Sequence, residues 1–460
     1  MLTKSTQFRY VVPVLSTVAV AIYFFYAYDS TFRLLSIPFD IALENPAIYA
    51  ADFVRRGINL YYTANFGEWP FLRMLYAPLD ALVLASIPVS SDNAYLGGRL
   101  LSLVCWGGFA VAVFLSAPWT NRYLRLSLIA LTLSTWPVMD HLVFCRSDPL
   151  ALALVAIAAV LVLRNPENFS PYLVGILFAL AIFTKQSYIS FPLAVGLNCL
   201  FYRRWSLFIR LVGTTTLAGI MMTLGSIAIW GPDFLVSILD VAGHPHDFVH
   251  TMDLLGLALH APSLLVLFLV ALTVSYFLFR SKGWAWFTSV ECLYVVISGG
   301  VFALTASKSG SSSSYWFEPI LATSLVILSG MQTMKSSTGG AIPIVPAKWI
   351  SVFPVVVVIA IVGDYFHFNY NQNRSSSYFQ TTAGIKQLIE YRTMIKMSGV
   401  SPDDRVVSLF CYPSYSLPFQ FAPADSPYYR MRLREPAVEN LLIFHLASGS
   451  FDYALVPAGF

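Results

Sequence analysis

The sequence predicts an all-α polytopic membrane protein of about eleven transmembrane helices, with a long first outer loop and a small C-terminal α/β module. Apolar residues make up 57% of the 460 residues, and charged residues make up only 11%, against roughly 25% in soluble domains. The mean hydropathy is +0.67, and apolar runs near the length that crosses a bilayer recur along the chain. A cytosolic globular enzyme is therefore excluded. A net charge of only +4 without a basic stripe also disfavours nucleic-acid binding.

The predicted spans follow one another through the first 363 residues. The first apolar run follows Lys4 and Arg9, is long enough to span and lacks a small-residue cleavage site, so we interpret it as a retained helix and not as a signal peptide. A further apolar stretch, 74–90, is interrupted by prolines and an aspartate and predicts a helix at the outer interface. The spans are predicted at 10–28, 97–116, 123–139, 148–163, 172–184, 187–202, 208–230, 254–279, 287–306, 315–332 and 346–363.

The distribution of basic residues orients these spans. With the N-terminus in the cytoplasm, twelve of the twenty lysines and arginines before residue 364 lie on the inner side, as the positive-inside rule expects. Residues 172–202 are interrupted at Thr184-Lys185-Gln186, and Arg164 and Arg203 flank them. One tilted helix could account for this stretch, but a hairpin of two short helices with Lys185 at its outer tip places both arginines on the same side.

The composition changes after residue 363. Residues 1–363 are predicted as the transmembrane domain and 364–460 as a small extracytoplasmic α/β domain. Within it, 364–380 reads as a linker, 381–397 and 436–447 as helices, and 405–410 and 452–457 as strands.

Several charged residues are predicted on the outer side. Among the basic residues there, Lys185 and Lys308 lie in apolar contexts, where burying a charge is costly and marks a functional candidate; snorkelling towards lipid headgroups is the alternative. In the first outer loop, Asp40 and Glu44 are four residues apart and could share a helix face. A desolvated carboxylate has a raised pKa and suits a general base. The alternative is that these residues are ordinary acids in a solvated loop.

Two further clusters have both a functional and a plainer interpretation. His244, His246 and His250 lie among two aspartates and could bind a divalent metal, but we expect a polar interfacial loop and no cofactor. Outer-loop aromatics such as Tyr61 and Tyr76 could stack on a sugar, but an interfacial aromatic belt is the commoner explanation. The five cysteines are scattered and predict neither a disulfide framework nor a zinc site.

Short motifs follow one another in a recognisable order. After the acid Glu44 come Gly57-Ile58-Asn59-Leu60-Tyr61 and Tyr76-Ala77-Pro78-Leu79, then Arg99 at the start of the second span. Arg146-Ser147-Asp148 and Thr184-Lys185-Gln186 follow. Residues 308–318, KSGSSSSYWFE, contain Lys308, Tyr315 and Glu318, with Ser314 where the motif usually has Asn. In this order, residues 40–330 resemble the GT-C superfamily of membrane glycosyltransferases, near bacterial protein O-mannosyltransferases and lipid A aminoarabinose transferase (family 39-like). Many relatives have an adjacent Asp-Glu pair where this chain has Asp40 and Glu44.

The resemblance implies transfer of a hexose or pentose from a polyprenyl-phosphate donor to an acceptor hydroxyl, with inversion, on the outer face of the cell (inner) membrane. It implies that Glu44 or Asp40 is the base and that Lys185, Lys308, Arg146 and Arg99 bind the donor phosphate. Substrate contacts are expected from Asp148, Gln186, Tyr61, Tyr76, Tyr315 and Glu318. The expected partners are membrane lipids and an acceptor glycan, lipid or protein. A transporter or flippase of a lipid-linked saccharide is the alternative, and a noncatalytic membrane subunit is a third reading.

Overall fold

The computed structural model describes most of the first 374 residues and three short strands beyond them. The described residues are 4–35, 44–61, 74, 76–88, 93–240, 246, 248–308, 312–336, 347–374, 405–408, 420–423 and 453–455. Asp40 and His244 lie outside them, and His250 is described in its backbone only.

The described chain is mainly helical. In chain order its α-helices are α1 Lys4–Ser30, α2 Asn45–Arg56, α3 Leu79–Ser86, α4 Ala94–Ser116, α5 Arg122–Ser134, α6 Trp136–His141, α7 Ser147–Arg164, α8 Pro171–Thr184, α9 Ser190–Phe201, α10 Trp205–Trp230, α11 Asp233–Asp240, α12 Phe248–Leu259, α13 Pro262–Lys282, α14 Val290–Ala306, α15 Phe317–Ser336 and α16 Ala347–Arg374.

Every predicted span overlaps at least one of these helices, and the chain is a membrane-embedded protein. Within the described residues, five helical segments are long and apolar enough to cross a bilayer by length and composition: Val11–Asp29, Ala94–Ser116, Ser147–Arg164, Trp205–Trp230 and Pro262–Trp286. Four shorter apolar helices accompany them: Pro171–Thr184, Ser190–Phe201, Val290–Ala306 and Val352–His367. The predicted interfacial helix is α3, which begins directly after Pro78.

The structure corrects three boundaries. The predicted span 123–139 is divided, because α5 ends at Ser134 and α6 begins at Trp136, with Pro137 in its first turn. The predicted span 254–279 is interrupted, because α12 ends at Leu259 and α13 begins at Pro262. Proline fits the first helical turn but disfavours helical geometry in the residue before it. The predicted linker 364–380 is also wrong at its start, since α16 continues to Arg374.

Interhelical hydrogen bonds between small polar side chains join five spanning helices. The Ser127 hydroxyl on α5 donates to Ser16 on α1 at 2.8 Å. Two more hydroxyl contacts link α5 to α15 (Thr132 to Ser324, 2.9 Å) and to α13 (Ser134 to Ser263, 3.2 Å). The Ser263 amide in turn donates to Asp364 on α16 at 3.1 Å. Apolar surface does not distinguish a helix from lipid, so such bonds and close packing specify which helices associate.

The consecutive helices α7, α8 and α9 run antiparallel to one another between the two ends of the bundle. Lys185, which follows α8, bonds to Asp148 at the start of α7 at 2.6 Å. Arg204, just after α9, donates to the Pro166 carbonyl just after α7, also at 2.6 Å. The predicted break at Lys185 is therefore present, and α8 and α9 form a hairpin with Lys185 at its tip. We call these the Lys185 end and the Arg204 end of the bundle.

Three short parallel strands are described near the C-terminus. They are β1 Arg405–Ser408, β2 Gln420–Pro423 and β3 Tyr453–Leu455, in the order β2-β1-β3. The predicted strands 405–410 and 452–457 coincide with β1 and β3, whereas β2 was not predicted. The predicted helices 381–397 and 436–447 lie outside the described residues, so the division at residue 364 stays a prediction.

The contact between α13 and α15 gives a stability prediction. A Cβ atom built on Gly330 would lie 2.2 Å from the Val274 Cγ1 atom, whereas Gly300 on α14 has open space around it. We expect Gly330→Ala to lower the free energy of unfolding by about 1–3 kcal/mol through overpacking, measured by thermal unfolding in detergent. Gly300→Ala is the matched control, and an equal unfolding midpoint for the two variants would contradict this account of the helix contact.

Candidate functional site

Charged and polar side chains from five segments meet at the Lys185 end of the bundle. The segments are the starts of α4, α7 and α15, the turn after α8, and the one-turn 3-10 helix Ser313–Trp316. Most of the residues predicted from sequence as a site are thus carried by helix ends, where the chain leaves the apolar layer.

The centre of the cluster is a buried ion pair. The Lys185 Nζ atom lies 2.6 Å from Asp148 Oδ1, and only 4% and 5% of the two side chains are exposed. The Tyr188 hydroxyl donates to the same carboxylate oxygen at 3.3 Å. Burial alone lowers the pKa of Lys185, but the Asp148 carboxylate outweighs it, and the net pKa is raised. Lys185 therefore carries its charge at neutral pH.

Aromatic rings cover the lysine on two sides. Its Nζ atom lies 4.8 Å from the centre of the Tyr315 ring and 5.4 Å from that of Tyr76. The ring faces attract the cation, so these two predicted substrate contacts surround Lys185. Gln186 is half-buried in the same turn.

A second cation, Arg146, is oriented by a neutral histidine. The Arg146 Nη1 atom lies 3.0 Å from His141 Nε2, and His141 Nδ1 lies 3.0 Å from the Pro137 carbonyl. Because the guanidinium only donates, Nε2 is the acceptor and Nδ1 carries the proton. Burial first, and then the Arg146 charge, lowers the pKa of His141 to about 4. Sequence reasoning missed His141, which lies at the end of an apolar run.

Serine hydroxyls join the two cations. Arg146 Nη1 donates to the Ser312 Oγ atom at 3.4 Å, and Lys185 Nζ donates to Ser314 Oγ at 3.5 Å. The two hydroxyls are 3.0 Å apart. Ser313 between them donates to Asp140 at 3.0 Å, which anchors the turn. The structure therefore presents Lys185, Arg146 and two hydroxyls side by side.

Glu318 lies behind this turn, and Lys308 lies before it. Ser190 donates to Glu318 Oε2 at 2.6 Å and Tyr294 donates to Oε1 at 3.4 Å. A water-sized cavity of about 10 Å³ separates Glu318 from Asp148 and Tyr315. The backbone of Lys308 pairs with that of His246, and His246 Nδ1 lies 2.6 Å from the Ser307 hydroxyl.

The structure corrects the roles expected for Glu44 and Arg99. Both are fully buried, and Arg99 donates from Nε at 3.0 Å and from Nη2 to the two Glu44 oxygens. The Cys145 amide also donates to Glu44, and Arg99 Nη1 donates to the Leu34 carbonyl. The Glu44 oxygens are thus engaged by Arg99 and by the Cys145 amide, and Arg99 is not exposed to a phosphate. The pair instead fixes the first loop to α4.

The structure also corrects the role expected for Tyr61. Its ring is fully buried and packs edge-on against Trp230 and Phe234, with ring centres 5.7 and 5.0 Å apart. Its hydroxyl donates to the Tyr76 carbonyl at 2.7 Å. Tyr61 therefore positions the backbone of Tyr76 and is not available to stack on a sugar.

Asp80 is a carboxylate that sequence reasoning used only as a helix breaker. It lies in the first turn of α3 and is 8% exposed. Among the described residues its side chain has no hydrogen-bond or ion-pair partner. Burial, and then the nearby Asp148 charge, raises the pKa of Asp80 to about 7. Its position directly after Tyr76-Ala77-Pro78-Leu79, as the lone acid of an apolar stretch, was the available signal.

The structure does not test the hypothesis that His244, His246 and His250 bind a metal ion. Across the described ranges, no three His, Cys, Asp or Glu side chains are grouped to hold a metal ion. Of the three histidines in question, only His246 has a described side chain.

Neither a protein-family model nor a curated protein sequence matches this chain. Solved structures do. ArnT from Cupriavidus metallidurans in the apo state is similar with a TM-score of 0.54 and 12% identity, over 92% of this chain and 88% of that one. The same protein bound to undecaprenyl phosphate is similar with a TM-score of 0.56 and 13% identity, over the same shares. The chain therefore has the same overall fold as these ArnT structures.

The buried Glu44–Arg99 pair gives the prediction for this site. Breaking a buried pair leaves an uncompensated charge, so we expect Glu44→Gln to lower the free energy of unfolding by about 3–5 kcal/mol. Arg56, which forms an ion pair with Asp52, is the control because its side chain is 64% exposed. Arg56→Gln should lower the free energy of unfolding by less than about 1 kcal/mol. Chemical unfolding in detergent measures both, and equal losses would contradict the structural role of Glu44.

Proposed function

We propose that this chain is an integral membrane glycosyltransferase that moves a sugar from a polyprenyl-phosphate donor to an acceptor hydroxyl. The observation that carries the proposal is that Lys185 and Arg146 lie side by side at one end of a bundle with the GT-C fold. Each contacts a serine hydroxyl, Ser314 and Ser312 respectively, and these two hydroxyls contact each other. ArnT, which has the same fold, binds undecaprenyl phosphate. Such a group suits the anion site proposed here.

The side chains at this end match the demands of a phosphate leaving group. An arginine can bind phosphate through two parallel hydrogen bonds, whereas a lysine supplies a compact charge. Fixed cations stabilise the negative charge that develops on the phosphate as its bond to the sugar breaks. Lys185 and Arg146 would contact the phosphate directly, and Lys308 would supply a further cation. Asp148 would hold Lys185 in position, with Tyr76 and Tyr315 beside it.

The proposed reaction is a single displacement. The acceptor oxygen attacks the anomeric carbon, the bond from that carbon to the phosphate oxygen breaks, and its electrons leave with the polyprenyl phosphate. The configuration at the sugar is inverted. The acceptor proton passes to a carboxylate, for which we propose two candidates: Asp40, from the sequence, and Asp80, which is buried without a polar partner among the described residues.

The candidate site would lie on the extracytoplasmic face of the cell membrane. The twelve basic residues predicted on the inner side support this orientation of the Lys185 end. There the donor phosphate would lie at the headgroup level, while its polyprenyl chain would extend into the lipid. A glycan, a lipid or a protein could present the acceptor hydroxyl, and the sugar could be a hexose or a pentose.

Transfer by the purified protein tests the proposal. We expect release of polyprenyl phosphate from one member of a panel of synthetic polyprenyl-phosphate sugars, measured by mass spectrometry with a membrane-extract acceptor. Lys185→Met should lower kcat/KM for the donor by about 10²–10³, the usual effect of removing one fixed charge. Lys282→Met, at the end of α13, is the control and should retain activity. Because Lys185→Met leaves Asp148 unpaired, Lys185→Met/Asp148→Asn is measured in parallel to separate misfolding from lost phosphate binding. Unchanged donor use in both Lys185 variants would contradict the phosphate role.

The pH profile distinguishes the two proton acceptors. Asp80 accepts a proton only when ionised, and its pKa is raised to about 7, so transfer should increase as the pH rises through 7. If Asp80 is the acceptor, Asp80→Asn should remove this increase and lower the rate by about 10²–10⁴, the usual contribution of a general base. A pH profile that is unchanged in Asp80→Asn, together with loss of transfer in Asp40→Asn, would assign the role to Asp40.

A further inference from the structure

A cavity lies at the Arg204 end, away from the candidate site. It has a volume of about 510 Å³ and is formed by the α7–α8 connection and the turn between α9 and α10. Its charged lining consists of Arg203, Arg204, Arg210 and Glu167, a net charge of +2. We call it the arginine pocket.

Only one of the three arginines is engaged by the protein. Arg204 donates to the Pro166 carbonyl at 2.6 Å and lies 3.7 Å from Glu167, whose side chain is 76% exposed. Within the described part of the chain, the guanidinium groups of Arg203 and Arg210 make no hydrogen bond or ion pair. The pocket thus has two cationic groups with unused donors.

Two other arginines at this end, in contrast, do form hydrogen bonds with the protein. Arg125 Nη1 donates to the Phe114 carbonyl at 2.7 Å, and Arg164 Nε donates to the Leu115 carbonyl at 2.9 Å. Both therefore satisfy the last carbonyl groups of α4, a stabilising position for a cation. Arg203 and Arg210 have no such structural task.

The turn that presents these groups is backbone-strained. Arg203 has a φ of +55°, in the left-handed region that favours glycine and disfavours a residue with a side chain. The strained residue directs its side chain to the pocket wall just before α10 begins. A glycine would adopt the same backbone conformation without strain. The arginine side chain at position 203 is therefore retained at the expense of backbone strain, which ligand binding would offset.

An apolar stripe on α10 leads away from the pocket along the membrane. Trp205 lines the pocket and is 57% exposed. Ile209, Val212 and Ile220 follow it at helical spacing on the same face, and all three are exposed. Within its most apolar window α10 is only 6% buried. A ligand with both a negative head and hydrocarbon chains would cover the pocket and the stripe together.

We propose that the arginine pocket binds the phosphate headgroup of an anionic phospholipid, with the acyl chains along the Trp205 stripe of α10. Basic pockets between the ends of spanning helices are suited to such headgroups. Charge and the continuity with the apolar stripe favour a phospholipid over a soluble phosphate, which would use the pocket alone. The lipid belongs to the leaflet opposite the candidate site and joins α7, α9 and α10 at that end.

Lipid binding to the intact protein tests the proposal. Native mass spectrometry in detergent would count bound phosphatidylglycerol, with phosphatidylcholine as the neutral lipid and inorganic phosphate as the soluble anion. Wild-type protein should retain phosphatidylglycerol selectively. Arg203→Gln/Arg210→Gln should weaken that binding about 30-fold, from about fivefold for each arginine near a membrane surface. Arg280→Gln/Lys282→Gln is the charge-matched control, because both residues are exposed at the end of α13 and do not line the pocket; its affinity should be unchanged.

Three results would overturn the proposal. They are equal weakening in the charge-matched control, equal retention of phosphatidylcholine, and displacement of phosphatidylglycerol by inorganic phosphate. If the double variant fails to fold, Arg210→Gln alone, on the exposed surface of α10, should still weaken binding about fivefold. Unchanged binding in that variant would equally reject the site.

Discussion

The ion pair between Lys185 and Asp148 is the interaction on which the candidate site depends. A single charge buried at this depth would cost several kcal/mol, and removing one partner leaves that cost uncompensated. The pair is satisfied because α7 begins where α8 ends, and the Tyr188 hydroxyl donates to the same carboxylate. The same contact therefore holds the start of α7 against the end of α8 and keeps a cation beside the serine turn.

The other buried polar groups obey the same constraint in different ways. Glu44 and Arg99 satisfy each other and attach the first loop to α4, while the hydroxyl contacts of α5 select α1, α13 and α15 as its neighbours. In lipid, apolar packing alone does not select a partner. The identity of the bundle is thus set by a small number of polar contacts. Asp80 stands apart from them, since no described residue compensates its burial.

Hydropathy and charge were enough to predict a mainly helical membrane protein and the break at Lys185, because these depend on residue types averaged over a window. The failures concern single residues. A sequence does not reveal that Arg99 lies opposite Glu44, or that the Tyr61 ring packs on Trp230. Arg99 and Tyr61 were assigned to substrate because they stand in motifs that resemble those of a known family, and a motif does not show which side chains are buried against one another. The break before Pro262 was missed for a different reason, since the apolar run continues through it. Ser314 was flagged only as a departure from a motif, yet its hydroxyl contacts Lys185.

The charges at the Lys185 end also bear on turnover in the proposed reaction. Lys185 and Arg146 oppose Asp148, and His141 is neutral because burial and Arg146 lower its pKa to about 4. Lys185, Arg146 and Asp148 together therefore carry a net charge of +1, which matches the single negative charge of a phosphodiester donor. The product is a phosphate monoester, which approaches two negative charges at neutral pH. A site whose charge neutralises the donor would need Lys308 to neutralise the extra negative charge that develops as the bond breaks. It would neutralise the more highly charged product only in part. Such a balance would favour release of the polyprenyl phosphate, which a site of higher positive charge would retain.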